Sequence, residues 1–472
     1  MKIHLSAIAG TAMASLAGLL RERGHEVTGS DQDIYPPMST QLEELGIPVR
    51  SPYAEENVPA DAELVVIGNA LSRGNPEVEI VLDRKQRMAS LPQVLAEQII
   101  RGHESLVVAG THGKTTTTSM LAFLLDQAGL DPSFLIGGVP ADFARSYRIG
   151  GGKHFVVEGD EYDSAFCDKR PKFLHYLPDI AVIGNLEYDH ADIYPDLASV
   201  QLAFARLIQL IPRRGLLVAG IESAPLREIL PRALCRVETF ALGAGEADWR
   251  GEEAGPAPEG GWRFRLRHGG KDLGEYRVQL PGEHNVRNAI AAVALANAVG
   301  VSPEKSREIL PRFRGVKRRL EVKGKARGVV VYDDFAHHPT AVRETLQALR
   351  KGATGAGRLF AVFEPRSYTS RTRVFQEDFA VAFEGADAVV VAAAHLPGKV
   401  PESQRLSEND LVQAMKARGQ DARFIGPVDD IVTHLARELR EGDRVVILSN
   451  GGFGGIHNKL LAALGAPASV SR

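Results

Sequence analysis

Short apolar runs bounded by glycine or charge alternate with amphipathic stretches along most of the chain. Ile3 to Ile8 reads as a strand, Met13 to Arg23 as a helix and Glu26 to Ser30 as a second strand. Leu64-Val65-Val66-Ile67-Gly68 is a run of the kind that fills a strand buried on both faces. Ser105 to Ala109 repeats it and runs into a glycine-containing turn. The helix that follows places Leu121, Leu124, Leu125 and Ala128 on one face. Phe155 to Val157 and Ile180 to Ile183 are further strands. Between about residues 240 and 282 the pattern changes. Glycines become frequent and polar and apolar residues alternate, as in Trp262-Arg263-Phe264-Arg265-Leu266, which predicts a small antiparallel insertion. Ala289 to Val299 is an alanine-rich helix. Beyond Phe313 the parallel rhythm returns with strands at Val329 to Tyr332, Leu359 to Phe363, Ala388 to Val391 and Val445 to Leu448. A helix from Pro339 carries Val342, Leu346 and Leu349 on one face. Strands alternating with helices predict an α/β protein with parallel sheets.

The length of 472 residues suggests three domains, expected at residues 1–102, 103–312 and 313–472. With 44% hydrophobic and 24% charged residues the chain can bury a core. Its 56 Lys+Arg against 59 Asp+Glu leave a net charge of −3, which argues against a surface given over to nucleic acid or anionic lipid. A local basic pocket for a phosphorylated small molecule is compatible with that balance. Cys167 and Cys235 are too few for a disulfide scaffold or a Cys-x-x-Cys site. The apolar stretch from Ile3 to Leu20 is interrupted by His4, Ser6, Thr11 and Ser15, so it reads as strand and helix rather than as a signal peptide. No other stretch approaches the roughly 18 apolar residues of a membrane span. A soluble, cytoplasmic protein is expected.

Gly110-Thr111-His112-Gly113-Lys114-Thr115-Thr116 lies where a strand ends and a helix begins. Successive backbone N–H groups and a helix N-terminus favour an anion there. Lys114 would reach the terminal phosphates of a nucleotide and the Thr115 hydroxyl would ligate Mg²⁺. The loop is shorter than the usual Gly-x-x-x-x-Gly-Lys-Thr form, whose first glycine would fall at Val108.

This loop resembles the ATP-binding signature of the Mur ligase family, the ATP-dependent amide-forming ligases of peptidoglycan synthesis. The resemblance implies an N-terminal Rossmann-like domain binding a UDP-sugar. It also implies a central P-loop ATPase-like parallel sheet with the small antiparallel insertion, and a C-terminal Rossmann-like α/β domain that binds the incoming amine and closes on ATP. Glu158 in the carboxylate-dense stretch Glu158 to Asp163 maps to a Mg²⁺ ligand. In Asn185-Leu186-Glu187-Tyr188-Asp189-His190-Ala191-Asp192, His190 maps to a contact of a second Mg²⁺. Ala203 to Arg206 offers no lysine to be carbamylated, as in the branch that adds to UDP-N-acetylmuramate itself. Gly282-Glu283-His284-Asn285-Val286-Arg287-Asn288 resembles the adenine-contacting segment, implying His284, Asn285 and Asn288 at the base. Asn285 could equally cap the helix that follows.

In the third region Lys317-Arg318-Arg319-Leu320-Glu321 resembles the stretch at the join to the last domain, with Arg319 expected at the nucleotide; Lys317 and Arg318 read as a solvated basic linker as well. Tyr332-Asp333-Asp334-Phe335-Ala336-His337-His338-Pro339 resembles a segment of the UDP-N-acetylmuramate-using branch. It implies Asp333 near the nucleotide and His337 or His338 handling the amine proton. Arg366, Arg371 and Arg373 are expected to bind carboxylate or phosphate of the substrates. Asn450 and Gly451, in the glycine-rich stretch Ser449 to His457, are expected at the incoming peptide. Asp31, in a stretch that continues through Tyr35-Pro36-Pro37, and Asn75 are expected at the sugar nucleotide. The first turn, Ala7-Ile8-Ala9-Gly10-Thr11-Ala12-Met13, departs from the family's Gly-x-Gly-Gly-x-Gly-Met and keeps only Gly10.

The expected reaction is ATP-dependent ligation of UDP-N-acetylmuramate to the tripeptide L-alanyl-γ-D-glutamyl-meso-diaminopimelate, in peptidoglycan recycling. Free L-alanine is the alternative amine. A P-loop NTPase regulator and a non-catalytic nucleotide-sugar binder are the readings from other classes. Small-molecule substrates are the expected partners, with no nucleic acid and no membrane, in a monomer or weak homodimer.

Overall fold

The computed structural model describes residues 1–465 except 33, 35–37, 244, 353–354 and 356. Tyr35 to Pro37 therefore lie outside the described residues. Three open sheets succeed one another along the chain, each in its own α/β domain. The first is fully parallel. From one edge to the other its strands are Val49–Arg50, Glu26–Ser30, Lys2–Ser6, Leu64–Ile67 and Met88–Ser90. The order reverses at Lys2–Ser6, which opens a crevice at the C-terminal ends of the middle strands.

The central sheet has ten strands. At its heart Glu104–Ala109 lies between Ile180–Ile183 and His154–Gly159, all parallel. The antiparallel segment expected between 240 and 282 exists as Trp249–Pro256, Trp262–His268 and Lys271–Val278. It joins the main sheet, because Trp249–Pro256 pairs in parallel with Arg236–Leu242 and so lengthens that sheet at one edge. The third sheet has six strands. Glu321–Ala326 runs antiparallel to Val329–Asp334, and parallel strands Arg444–Leu448, Leu359–Phe363, Ala388–Val391 and Asp421–Phe424 follow in space.

The helix after the phosphate-binding turn, Lys114–Gln127, differs from the amphipathic expectation. Every residue from Thr115 to Leu125 is buried. The sheet covers one side, and the alanine-rich helix Glu283–Ala298 covers another with side chains small enough for close approach. The apolar core of the N-terminal sheet is continuous with that of the central domain: Leu16, Leu19 and Ile99 belong to one cluster with Val107, Tyr147, Phe155 and Phe204. Gly18 faces the Tyr147 ring so closely that a Cβ would lie 2.1 Å from it. The C-terminal domain has cores of its own on the two faces of its sheet. Among the described residues no helix is long and apolar enough to cross a membrane.

Candidate active site

Three neighbouring strands of the central sheet deliver, at their C-terminal ends, most of the residues predicted to bind ATP and metal. Glu104–Ala109 leads into the Gly110 to Thr116 turn, His154–Gly159 into Asp160 and Glu161, and Ile180–Ile183 into the segment from Asn185 to His190. Gly110 has φ +136°, and a Cβ there would sit 3.1–3.2 Å from the backbone of Gly184 and Asn185, so a side chain would push the strands apart. Gly113 has φ +81° and faces Asn288 Oδ1, 2.3 Å from where its Cβ would be. The phosphate-type turn and the expected adenine segment are thus in contact. There Asn285 donates to the Pro281 carbonyl (2.7 Å) and Asn288 donates to Asn285 Oδ1 (3.3 Å). The cap of this helix is Gly282, not Asn285.

Lys114 Nζ donates to the carbonyls of Gly110 (2.8 Å) and Thr111 (3.1 Å) and to Glu161 Oε1 (2.8 Å). Burial would lower its pKa, but Glu161, Asp160 and Glu158 reverse that and hold the ammonium above its ordinary value. The Thr115 hydroxyl donates to Glu158 Oε1 (2.8 Å), and Gly137 N–H donates to Glu158 Oε2 (2.7 Å). Burial pushes the Glu158 carboxyl up against the pull of Lys114. A hydroxyl and a half-buried carboxylate at one point are hard oxygen donors that fit Mg²⁺. His190, expected at a metal, lies with its Nε2 2.9 Å from Glu161 Oε1. Burial lowers the imidazole, but Glu161 and Asp189 outweigh it and raise it to about 9, so His190 holds its proton at neutral pH.

Sequence reasoning missed the clamp around the turn. Asn185 Oδ1 accepts from His112 N–H (2.8 Å), and its amide donates back to the His112 carbonyl (3.2 Å). Glu187 N–H donates to the Thr111 hydroxyl (2.9 Å), and Glu187 Oε2 accepts from the Thr340 hydroxyl (2.7 Å) of the C-terminal domain. The segment was legible as a motif, but a pairing of backbone amide with side chain leaves no mark on sequence.

The C-terminal cluster is also built on adjacent strand ends: Val329–Asp334, Arg444–Leu448 and Leu359–Phe363. Asp333 is 4% exposed; Arg318 Nε donates to its Oδ2 (3.3 Å), and His457 Nε2 lies 3.3 Å from Oδ1. Burial would raise Asp333, but His457 and Arg318 hold it below the usual carboxylate value. Arg318 also donates to the carbonyls of Ser449 (2.6 Å) and Gly451 (2.8 Å). It is a structural tie of the glycine-rich loop rather than a solvated linker residue. Arg319 lies with its guanidinium 5.0 Å from the Phe335 ring centre.

The two consecutive histidines differ. His337 Nδ1 lies 2.9 Å from the Phe335 carbonyl, and burial lowers its pKa against the nearby Asp189. His338 caps the Pro339–Lys351 helix: its Nδ1 accepts from Thr340 N–H (3.3 Å), and its Nε2 meets the Tyr188 carbonyl (3.2 Å). Its ring centre is 4.7 Å from that of His112. The phosphate-type turn and the Asp333 to His338 segment therefore meet across the contact between the second and third domains.

Of the three arginines, Arg366 faces the glycine-rich loop, and a Cβ on Gly451 would lie 1.9 Å from its Nε. Arg371 is buried and donates to the carbonyls of His395 and Leu396 (3.0 and 2.9 Å), and Arg373 donates to that of Arg405 (3.0 Å). Both are engaged in fixing loops. Asn450 Oδ1 is buried without a hydrogen-bond partner among the described residues.

In the first domain Asp31 Oδ2 accepts from Ala9 N–H (2.8 Å), and Asp31 Oδ1 accepts from the Tyr53 hydroxyl (2.9 Å). Gly10 caps the Thr11–Glu22 helix without a side-chain bond. Ala7 sits at φ +67° where the family pattern has glycine, a left-handed conformation that costs about 1–2 kcal/mol. Asn75 is the cap of the Pro76–Asp83 helix and accepts from Glu77 N–H (3.0 Å). That role competes with the expected contact to a sugar nucleotide.

Comparison with known proteins fits this frame. The family model "Mur ligase family, catalytic domain" matches residues 2–103, "Mur ligase middle domain" residues 108–296 and "Mur ligase, glutamate ligase domain" residues 318–451. The chain is 41% identical, over all of both chains, to UDP-N-acetylmuramate–L-alanyl-γ-D-glutamyl-meso-2,6-diaminoheptandioate ligase of Escherichia coli K12. The crystal structure of a murein peptide ligase from Psychrobacter arcticus superposes with a TM-score of 0.74 at 37% identity, covering all of both chains. That of UDP-N-acetylmuramate–alanine ligase from Thermotoga maritima superposes with a TM-score of 0.81 at 25% identity, covering 98% of each.

Proposed function

The chain belongs to the Mur ligase family, and we propose that within it this enzyme joins the lactoyl carboxylate of UDP-N-acetylmuramate to the amine of L-alanyl-γ-D-glutamyl-meso-diaminopimelate, in peptidoglycan recycling. It is an ATP-dependent ligase that forms a C–N bond. Full-length similarity to the E. coli enzyme of that specificity supports the choice of amine. The single observation that carries the mechanism is the docking of the Asp333 to His338 segment against the Gly110 to Thr116 turn.

In this reading residues 1–102 bind the sugar nucleotide, residues 103–312 ATP, and residues 313–472 the peptide. The amides of the turn and Lys114 neutralise the γ-phosphate while the lactoyl carboxylate attacks it. Thr115 and Glu158 would hold Mg²⁺, which supplies charge neutralisation at the phosphates when bound. The resulting acyl phosphate meets the tripeptide amine, and a tetrahedral intermediate collapses with loss of phosphate. His337 is the better proton acceptor of the pair. The Phe335 carbonyl can only accept, so Nδ1 carries the hydrogen and Nε2 keeps its lone pair. Both nitrogens of His338 are engaged in docking and capping. An α-amino group with a pKa of about 7.7–8.0 needs only modest help from such a base. His284, Asn285, Asn288 and Arg319 would contact the nucleotide, and Arg366, Asn450 and Gly451 the peptide. The enzyme is read as cytoplasmic and as a monomer or weak homodimer.

The test is amine dependence. Incubated with ATP, Mg²⁺ and UDP-N-acetylmuramate, the enzyme should release phosphate with the tripeptide and far less with L-alanine. Preference for L-alanine would move it to the alternative branch; phosphate release without either amine or sugar nucleotide would make it a regulator.

A further inference from the structure

We propose that His112, Glu187 and His338 form a site for one transition-metal ion of the Zn²⁺ type, distinct from the Thr115–Glu158 oxygen pair, and that the ion ties the C-terminal domain to the phosphate-binding turn. Among the described residues this is the one group of His, Cys, Asp or Glu side chains whose donor atoms converge, all lying within 4.8 Å of one another. His112 Nε2 is 3.2 Å from Glu187 Oε2, and His338 Nδ1 is 3.7 Å from the same oxygen. A tetrahedral ion with bonds of about 2.0–2.1 Å sets its ligands about 3.3 Å apart, so two edges of the polyhedron are close to formed. Two imidazoles and a carboxylate suit zinc when a fourth position is left for solvent. Glu187 is 38% exposed at its side chain and His338 only 5%, so an ion has a path inward and a fixed anchor when it arrives.

The surroundings prepare these donors. The Tyr188 carbonyl accepts and cannot donate, so His338 Nε2 carries the hydrogen and Nδ1 keeps its lone pair. That lone pair now accepts a long capping bond from Thr340 N–H (3.3 Å), which the ion would displace, and it lies 3.7 Å from Glu187 Oε2. A ligand histidine characteristically gives its second nitrogen to a backbone carbonyl in this way. The Thr340 hydroxyl donates to Glu187 Oε2 and orients the carboxylate from outside. The Phe375 ring packs edge-on to His338, with ring centres 4.8 Å apart, and holds its plane. Binding replaces the hydrogen now between His112 Nε2 and Glu187 Oε2. In neutral imidazole it moves to Nδ1, and from imidazolium one proton goes to solvent. Two ligands belong to the central domain and one to the C-terminal domain, so the ion is held only while the two are docked.

The experiment uses the full chain with Mg²⁺ in excess, to fill the oxygen pair, and Zn²⁺ or Co²⁺ as probe. Equilibrium dialysis should find one tight Zn²⁺ per chain, and Co²⁺ should give the intense visible absorption of tetrahedral coordination. Glu187→Gln and His112→Gln should each weaken Zn²⁺ by at least about 100-fold, whereas Glu158→Gln should not. Zn²⁺ should also slow hydrogen exchange both at the Gly110 to Thr116 turn and at the start of the Pro339–Lys351 helix. Because Glu187→Gln can keep its shape and its bond from Thr340, its circular dichroism should match the parent. The proposal is overturned by weak octahedral Co²⁺ only, by Zn²⁺ affinity unchanged in both ligand variants, or by affinity lost in Glu158→Gln instead.

Discussion

Replacing Glu77 by Gln should loosen the end of the N-terminal sheet on which the sugar nucleotide is expected to rest. Glu77 is fully buried, yet its surroundings favour the carboxylate. Its Oε2 accepts from the hydroxyls of Ser6 (2.6 Å) and Ser30 (2.5 Å), and its Oε1 accepts from the Asn57 amide (3.0 Å). Ser6 and Ser30 end the two strands that lead into the Ala7 to Gly10 turn and Asp31. Burial alone would raise the carboxyl, but the nearby His4 imidazole (3.9 Å) and the hydrogen bonds from Ser30, Ser6 and Asn57 outweigh it and bring the value from 4.5 down to about 2. A carboxyl whose pKa falls on folding stabilises the fold above its unfolded value and loses that contribution as pH drops through the folded one. The fall is worth about 3 kcal/mol at neutral pH, shrinking to about 1.5 kcal/mol at pH 3. Glutamine keeps the shape and removes the charge. Hydrogen exchange of peptides covering Lys2–Ser6 and Glu26–Ser30 in the intact protein should therefore be faster in the variant by about 150-fold at pH 7. The gap should narrow to roughly tenfold at pH 3. Equal protection at pH 7, or a gap that does not narrow, would refute the reasoning.

Lys114→Ala should lower ligation by at least about 100-fold. It should leave exchange and circular dichroism near the parent, since Glu161 keeps its contact with His190; turnover like the parent's would tell against the mechanism. Gly451→Ala places a Cβ 1.9 Å from Arg366 Nε and must displace that guanidinium. Its kcat/KM for the peptide should fall by up to about 100-fold with the KM for ATP unchanged. Gly452→Ala has open space around it and serves as the control, and identical behaviour of the two would remove Arg366 from the peptide site.

The parallel strands were legible because burial on both faces leaves no alternative to unbroken apolar runs, as at Leu64–Ile67 and Ile180–Ile183. The turn at Gly110 to Thr116 was legible because its glycines, lysine and threonines are dictated locally. Other features depend on neighbours remote in sequence. Lys114–Gln127 looked one-sided because leucines dominate its pattern, yet its threonines are buried as well. Arg318 reads as an ordinary basic residue until the fold brings Ser449 and Gly451, 131 and 133 positions away, to its guanidinium. His457, in the helix that follows Arg444–Leu448, reaches Asp333 because that strand pairs with Val329–Asp334. Arg366, Arg371 and Arg373 cannot be told apart by type. Only the carbonyls of His395, Leu396 and Arg405 reveal which two are occupied.

The apolar cluster shared by the first two domains has a mechanical consequence. Leu16 and Leu19 cannot leave Tyr147 and Phe155 without wetting a large greasy surface, so these two lobes travel as a single anvil. The last lobe is held to that anvil chiefly by polar contacts such as Thr340 with Glu187 and His338 with Tyr188. Such contacts exchange readily with water. Any opening would thus fall to one hammer, and a cut that removed the first hundred residues would leave the remainder sticky rather than merely shorter.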